Sequence, residues 1–236
     1  MSIAENVARI RKEMEAAAIA AGRDPKEIQL CAATKMNDAA AVREAIAAGV
    51  DCCGENKVQE LTAKLAENAY EGAPVHFIGH LQTNKVKFVV GKVDLIQSVD
   101  SERLLAAIDK EAKKQGIVQN VLLEVNIGGE ERKSGFHPDA VLPLIEKISQ
   151  YPNIRVKGLM TIPPISQKNG DNVKFFQKMC NISVDIIEKK EDNDMARYLS
   201  MGMSDDFVDA IACGSTMIRV GTAIFGARDY TKLHQT

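Results

Sequence analysis

A single (β/α)8 barrel with an extra amino-terminal helix is the fold this sequence predicts, and three observations carry the prediction. Eight short apolar runs alternate with stretches whose apolar residues recur at helical spacing. The runs are apolar on both faces, which suits a parallel sheet covered by helices rather than a sheet with one wet face. The 236 residues are enough for eight strand–helix units around one core, burying about 70% of the unfolded chain's surface without a disulfide or metal staple. An open doubly wound sheet would need fewer strands, and no G-x-G-x-x-G follows the first run to mark a dinucleotide site. No linker or low-complexity tract interrupts the chain, so residues 1–236 are read as one domain.

Taken in order, an amphipathic segment from Ile3 to Ala21 precedes the first apolar run, Gln29 to Thr34, and a helix-period stretch from Ala39 to Ala48 follows it. The second run is Asp51 to Gly54, with helical spacing over Val58 to Leu65; the third and fourth are Val75 to Gly79 and Leu95 to Val99. Ser101 is an N-cap candidate for the helix reaching Gln115, since its hydroxyl can accept from the backbone three residues on. The fifth run, Val121 to Ile127, leads to helical spacing over Asp139 to Ser149, and the sixth, Val156 to Ile162, to Val173 to Lys190. Between these last two lies the most loop-like segment, Pro163-Pro164 to Gly170-Asp171, while Glu188 to Asp194 reads as a solvated helix end. The seventh run is Tyr198 to Met203, Asp205 precedes the apolar face of Phe207, Val208 and Ile211, and Thr216 to Gly221 is the eighth.

Composition excludes several function classes. Lys plus Arg number 30 against 32 Asp plus Glu, so no global basic field exists to hold nucleic acid or an anionic membrane. Five cysteines, an odd count set mostly among apolar residues, read as reduced buried thiols. No C-x-x-C pair occurs and the four histidines show no zinc-like spacing with the cysteines, so no metal is expected. Charges at Glu5, Arg9, Arg11, Lys12 and Glu13 break any signal-like apolar segment, and no run approaches a membrane span. A cytoplasmic monomer is expected.

Barrels gather their chemistry at the carboxyl ends of the strands. Lys35 follows Cys31-Ala32-Ala33-Thr34, so its stem leaves a dry wall and its amine would face the barrel mouth. A desolvated lysine amine attacks carbonyls to form Schiff bases; the plainer alternative is a surface lysine ending a strand. Gly221-Thr222, directly after the eighth run, is a small turn that lets backbone approach a ligand and can present N–H groups to an anion, where barrels commonly hold phosphate. Ser200 on the seventh run would add a hydroxyl donor; the alternative is a glycine serving chain reversal only. Together, an amine on strand one and an anion cradle at strands seven and eight suit one small molecule carrying a carbonyl and a phosphate. Asn56, His80, Asn126, Met160 and Lys133 sit near other strand ends, where bonding to their own loops or core packing explains them equally well.

Seven blocks resemble the pyridoxal phosphate homeostasis protein family. They are Cys31 to Lys35, Gly54 to Glu60, His76 to Lys85, Lys133 to Phe136, Gly158 to Pro163, Leu199 to Asp205 and Ser215 to Gly226. Val75, Cys53 and Gly128 depart from residues common there. The resemblance implies a barrel like the amino-terminal domain of alanine racemase, with pyridoxal 5′-phosphate held by Lys35 as an internal aldimine. In that wider class an arginine two residues before the phosphate-binding glycine faces the pyridine nitrogen, and Arg219-Val220-Gly221 has this spacing. A guanidinium only donates hydrogen bonds, so the ring nitrogen would accept and remain unprotonated, a poor electron sink. The alternative pairs Arg219 with Asp205 or Asp206.

Three functions follow as expectations. The first is a non-catalytic protein of cofactor homeostasis that holds pyridoxal phosphate and supplies or buffers it for cofactor-dependent apo-enzymes. The second is a racemase- or decarboxylase-like enzyme of the same barrel class; the third is a cofactor-free Schiff-base aldolase. Racemases of this class use a second domain whose tyrosine is the opposing acid/base, whereas ten residues follow Gly226 here, with Tyr230 the one tyrosine among them. The first reading is therefore preferred.

Overall fold

The eight runs become eight parallel strands that pair in sequence order and close on themselves in a computed structural model that describes residues 1–165, 168, 170–190 and 197–226. The strands are β1 (Gln29–Ala33), β2 (Cys52–Glu55), β3 (Val75–Phe77), β4 (Leu95–Val99), β5 (Gln119–Glu124), β6 (Ile154–Met160), β7 (Tyr198–Ser200) and β8 (Met217–Val220). Closure is made by β1, which pairs with β2 on one side, Cys31 opposite Cys52, and with β8 on the other, Cys31 opposite Arg219. Tyr230, the Glu191 to Asp194 part of the charged stretch and part of the Pro163 to Asp171 loop lie outside the described residues.

Helices α1 (Ile3–Ala20), α2 (Ala39–Ala47), α3 (Val58–Ala66), α4 (Glu102–Gln115), α5 (Pro138–Glu146), α6 (Val173–Lys190), α7 (Phe207–Ala212) and α8 (Thr222–Phe225) surround the strands. Ser101 does cap α4, accepting from the Leu104 N–H at 3.3 Å, and Gly116 ends it in the left-handed conformation that a Cβ disfavours. The connection from β3 to β4 is a 3-10 segment, Thr83–Phe88, which the apolar pattern did not announce. The last helix, α8, is a single turn and cannot cover β8 alone. The amino-terminal α1 does this instead: Val7, Ile10, Met14 and Ala18 pack in one cluster with Leu30, Ile218 and Val220 of the closing strands. Asn6 Nδ2 donates to the Ile224 carbonyl at 2.9 Å, tying α1 to α8.

Strand ends differ from the sequence reading where glycine or a capping bond turns the chain. β7 stops at Ser200 rather than Met203, because Gly202 takes φ 93° and the Met203 N–H turns to Asp206 Oδ1 at 2.7 Å. Helix α5 ends at Glu146, three residues short of Ser149, and passes into a 3-10 turn, Ile148–Gln150.

Most of the apolar core lies between helices and sheet, while the barrel interior is thin: Cys31, Cys52 and Met217 form one small cluster, and Leu95, Leu122 and Met160 another, both against Tyr198. Tight closure has a backbone cost at Gly158, with φ 144°, where an added Cβ would lie 1.9 Å from the Tyr198 carbonyl oxygen. Gly158→Ala is expected to force β6 away from β7 and to destabilise by well over the ~1 kcal/mol of an average substitution. Urea unfolding of the variant should show a clearly lower midpoint, and an unchanged midpoint would contradict this packing.

Candidate functional site

Lys35 sits in the turn leaving β1, and local bonds fix that turn. The Met36 N–H donates to Glu60 Oε2 at 2.7 Å, with Met36 at φ 63°, and Asn37 Nδ2 donates to the Lys35 carbonyl at 3.0 Å. Just beneath, the buried Glu55 carboxylate takes three donors on Oε1: the Thr34 hydroxyl at 2.6 Å, the Lys64 ammonium at 2.6 Å and the Tyr70 hydroxyl at 3.2 Å. Lys64 also donates to the Thr34 carbonyl at 2.7 Å, so a buried ion pair ties β1, β2 and α3 together directly under the lysine turn. Lys35 itself is half-buried.

The Gly221 turn lies against the same strand end. An added Cβ at Gly221 would meet Ala33 Cβ and the Ala33 carbonyl oxygen, each at 3.3 Å, two residues before Lys35. Gly221 is the N-cap of α8 and Thr222 its exposed first residue. The free N–H groups of a helical first turn need outside acceptors. One is supplied by Ser204, whose Oγ accepts from the Ala223 N–H at 3.3 Å. Ser204 thus stands beside the turn, although strand-end reasoning had singled out Ser200.

Ser200 occupies a different place. It is fully buried, donates to Gln97 Oε1 at 2.7 Å and accepts from Arg219 Nη1 at 2.6 Å. The hydroxyl's one proton is committed to Gln97, so this side chain is a support beneath Arg219. Arg219 is 4% exposed, and its Nη2 donates to the Thr161 carbonyl at 2.8 Å. Its hydrogen-bond acceptors are therefore neutral, and the pairing with Asp205 or Asp206 that the sequence left open is not made. Burial lowers the guanidinium's pKa, offset by the negative fields of Cys31, Glu124 and Asp206. From Gln97 the chain of bonds continues downward, Nε2 donating to His76 Nδ1 at 2.9 Å, with Cys52 Sγ 3.5 Å from the same nitrogen.

The remaining candidates divide. Asn56 has a buried Oδ1 without a hydrogen-bond partner, a polar atom held at the strand-two end. Asn126 ties its own loop, donating to the Glu130 and Lys133 carbonyls and accepting from the Glu130 N–H. Lys133 bonds the Pro163 carbonyl at 3.2 Å and pairs with Glu130. Met160 is core, and His80 is largely exposed, paired with Asp100 at 3.0 Å.

Sequence reasoning missed Glu124, at the end of β5. Desolvation, and then the negative field of Asp100, push its pKa up to about 7, against the opposing fields of Arg219 and His80. A lone carboxylate inside an apolar strand was the available signal.

Comparison with known proteins gives the family and the fold. The family described as "Alanine racemase, N-terminal domain" matches residues 2–229. A pyridoxal phosphate homeostasis protein from Aquifex aeolicus is 41% identical over 98% of this chain and 100% of its own length. The chain belongs to the pyridoxal phosphate homeostasis protein family. Among solved structures of similar proteins, PipY of Synechococcus elongatus with pyridoxal phosphate bound is 33% identical, with a TM-score of 0.81 over 95% of this chain and 100% of that one. An alanine racemase from Clostridium difficile shares the fold at 15% identity and a TM-score of 0.70, but only 57% of that chain is covered.

For this family member, Glu124 makes a pH prediction. A carboxyl whose folded pKa lies above its unfolded value binds protons more tightly when folded, so stability falls as pH rises from about 4.5 to about 7 and the loss is complete above that. Glu124→Gln should remove this slope and stabilise by on the order of 1–3 kcal/mol at pH 8. Denaturation at pH 5 and pH 8 measures it, and an equal effect at both would contradict the raised pKa of this half-buried carboxyl.

Proposed function

We propose that this protein holds pyridoxal 5′-phosphate through Lys35 as a Schiff base and supplies or buffers the cofactor for enzymes that need it, without efficient amino-acid turnover. It would act as a cytoplasmic monomer. The observation that carries the reading is the convergence of the Lys35 turn, the Gly221–Thr222 turn and buried Arg219 at one strand-end junction, since the two turns meet at Ala33 and Arg219 pairs with Cys31 on the same strand. The names of full-length relatives, and the PipY structure with the cofactor bound, support the choice of ligand.

The residues fit such a group chemically. When bound, pyridoxal phosphate supplies an aldehyde, an electron-accepting ring and an anionic tail. Lys35 offers the amine; Gly221, Thr222 and Ser204 offer backbone and hydroxyl donors suited to a phosphate; and Asn56 has an unsatisfied buried oxygen beside the mouth. Arg219 is fixed by Ser200 and Thr161, so it presents donors only, and a ring nitrogen facing it must accept. That arrangement withholds the protonated ring which carbanion chemistry needs.

The same site on a racemase-like enzyme is the competing reading, and one experiment separates them. Incubating the holo-protein with common amino acids should give no racemisation or decarboxylation near the ordinary range of about 1–10³ s⁻¹, while an apo-enzyme added to it gains activity. Lys35→Ala should lose the visible cofactor band and the borohydride-trapped adduct with its fold intact. Sustained turnover would favour the enzyme, and an adduct at another lysine would displace Lys35.

The two serines give a second test. Ser204→Ala should weaken pyridoxal phosphate by about 1.5–3 kcal/mol, roughly ten- to a hundredfold, while leaving pyridoxal unaffected. Ser200→Ala, acting through Arg219, should weaken both ligands. The reverse pattern would return the phosphate to Ser200.

A further inference from the structure

Inside the barrel, below the Lys35 turn, side chains from three successive strands converge. Cys31 of β1, Cys52 of β2 and His76 of β3 bring two sulfurs and one ring nitrogen within 4.8 Å of one another. All three residues are buried, at 0%, 2% and 5% exposure. Their chain spacing gives no metal motif, which is why the sequence predicted none; the β1–β2 register, with Cys31 opposite Cys52, is what unites the thiols. Met217 of β8 packs against both cysteines and adds a thioether to the same small cluster. Metal–sulfur bonds near 2.3 Å and metal–nitrogen bonds near 2.0 Å require donors roughly 3.5–4 Å apart, so small side-chain movements suffice.

We propose that Cys31, Cys52 and His76 form a binding site for a soft d10 cation, Cu⁺ in preference to Zn²⁺, with Met217 as an auxiliary ligand. Two features favour copper. The remaining nearby sulfur is a thioether, a soft donor suited to Cu⁺. Cu⁺ bound by two thiolates and a neutral imidazole carries one net negative charge. Opposite Cys31 in the β1–β8 register stands Arg219, a buried cation whose bonded acceptors are both neutral. Zn²⁺ in the same donor set would be neutral and would add no negative charge beside that cation. His76 Nδ1 accepts from Gln97 and so carries no proton, and ligation by this nitrogen requires Gln97 Nε2 to turn away and release the lone pair. Access is from below, where a cavity of about 310 Å³ reaches Cys52 and His76 past Gln29, Arg155, Arg197 and Tyr198. The cation would enter without crossing the Lys35 mouth.

The test uses the reduced holo-protein under anaerobic conditions, titrated with Cu⁺ in competition with bicinchoninate and, separately, with Zn²⁺ against a chromophoric chelator. One Cu⁺ per chain should be withdrawn from the competitor. Cys31→Ser and Cys52→Ser should each weaken binding by more than the ~10–100-fold typical of losing an outer partner, while Cys180→Ser/Cys213→Ser binds as before. X-ray absorption on the unaltered protein, needing no variant to fold, should show mixed sulfur and nitrogen ligands. Failure to compete, retained binding in Cys31→Ser, or a sulfur-free spectrum would overturn the site, and tighter stoichiometric binding of Zn²⁺ than of Cu⁺ would overturn the choice of metal.

Discussion

Closure of the sheet between β1 and β8 is the constraint from which the rest of the molecule follows. The two strands are far apart in sequence, yet their pairing sets Gln29 to Ala32 against Met217 to Val220 in consecutive register. A parallel sheet cannot leave either face wet without losing the burial that stabilises it, and closure also removes the unpaired edges an open sheet would expose. Because α8 is one turn long, closure is sealed from outside by α1. The first and last parts of the described chain are thus mutually dependent: losing α1 would uncover Ile218 and Val220 on the strand that carries Arg219.

Closure also explains why a charged group can sit in so small an interior. Arg219 would be costly to bury alone, and the structure answers with neutral acceptors, the Ser200 hydroxyl and the Thr161 carbonyl, backed by Gln97 and His76. Each member of this chain leans on the next, so the guanidinium's orientation is fixed before any ligand arrives. Beside it, the Cys31 thiol is lowered to about 6 by its hydrogen bond to Cys52 and by the fields of His76 and Arg219, whereas burial pushes Cys53 up to about 12. Neighbouring thiols therefore differ because one faces the polar interior and the other faces the helices, where Cys53 joins the large apolar cluster.

What the sequence revealed depended on how locally each feature is encoded. Apolar runs and helical spacing are local, and all eight strands were legible, as was Ser101 capping α4. Lys35 and Gly221 could be read because both sit at strand ends, where a barrel's topology supplies the missing dimension. Ser200 could not be placed from its strand number alone. β7 ends three residues before the apolar run does, Gly202 turns the chain there, and the Ser200 hydroxyl lies buried between Gln97 and Arg219. The Glu55–Lys64 pair and the Cys31, Cys52 and His76 cluster were invisible for the same reason. The first joins β2 to α3, the second is assembled across strands by register, and neither leaves a spacing motif.

The two ends of the barrel then divide the work physically. At the mouth, the turns at Lys35 and Gly221 meet at Ala33, over a buried ion pair, Glu55 with Lys64, that ties β1, β2 and α3 together. In the middle, Arg219 is a fixed cation that donates and cannot accept. On the proposed reading, a ring bound above it keeps an unprotonated nitrogen, so retention of the ligand is separated from activation of it. The same arginine reaches the floor through Ser200, Gln97 and His76, and any change of charge among the thiols there alters the field on the guanidinium. On the same reading, binding strength would rest on the anion turn and the amine, while reactivity would be restrained by a charge the ligand does not itself displace.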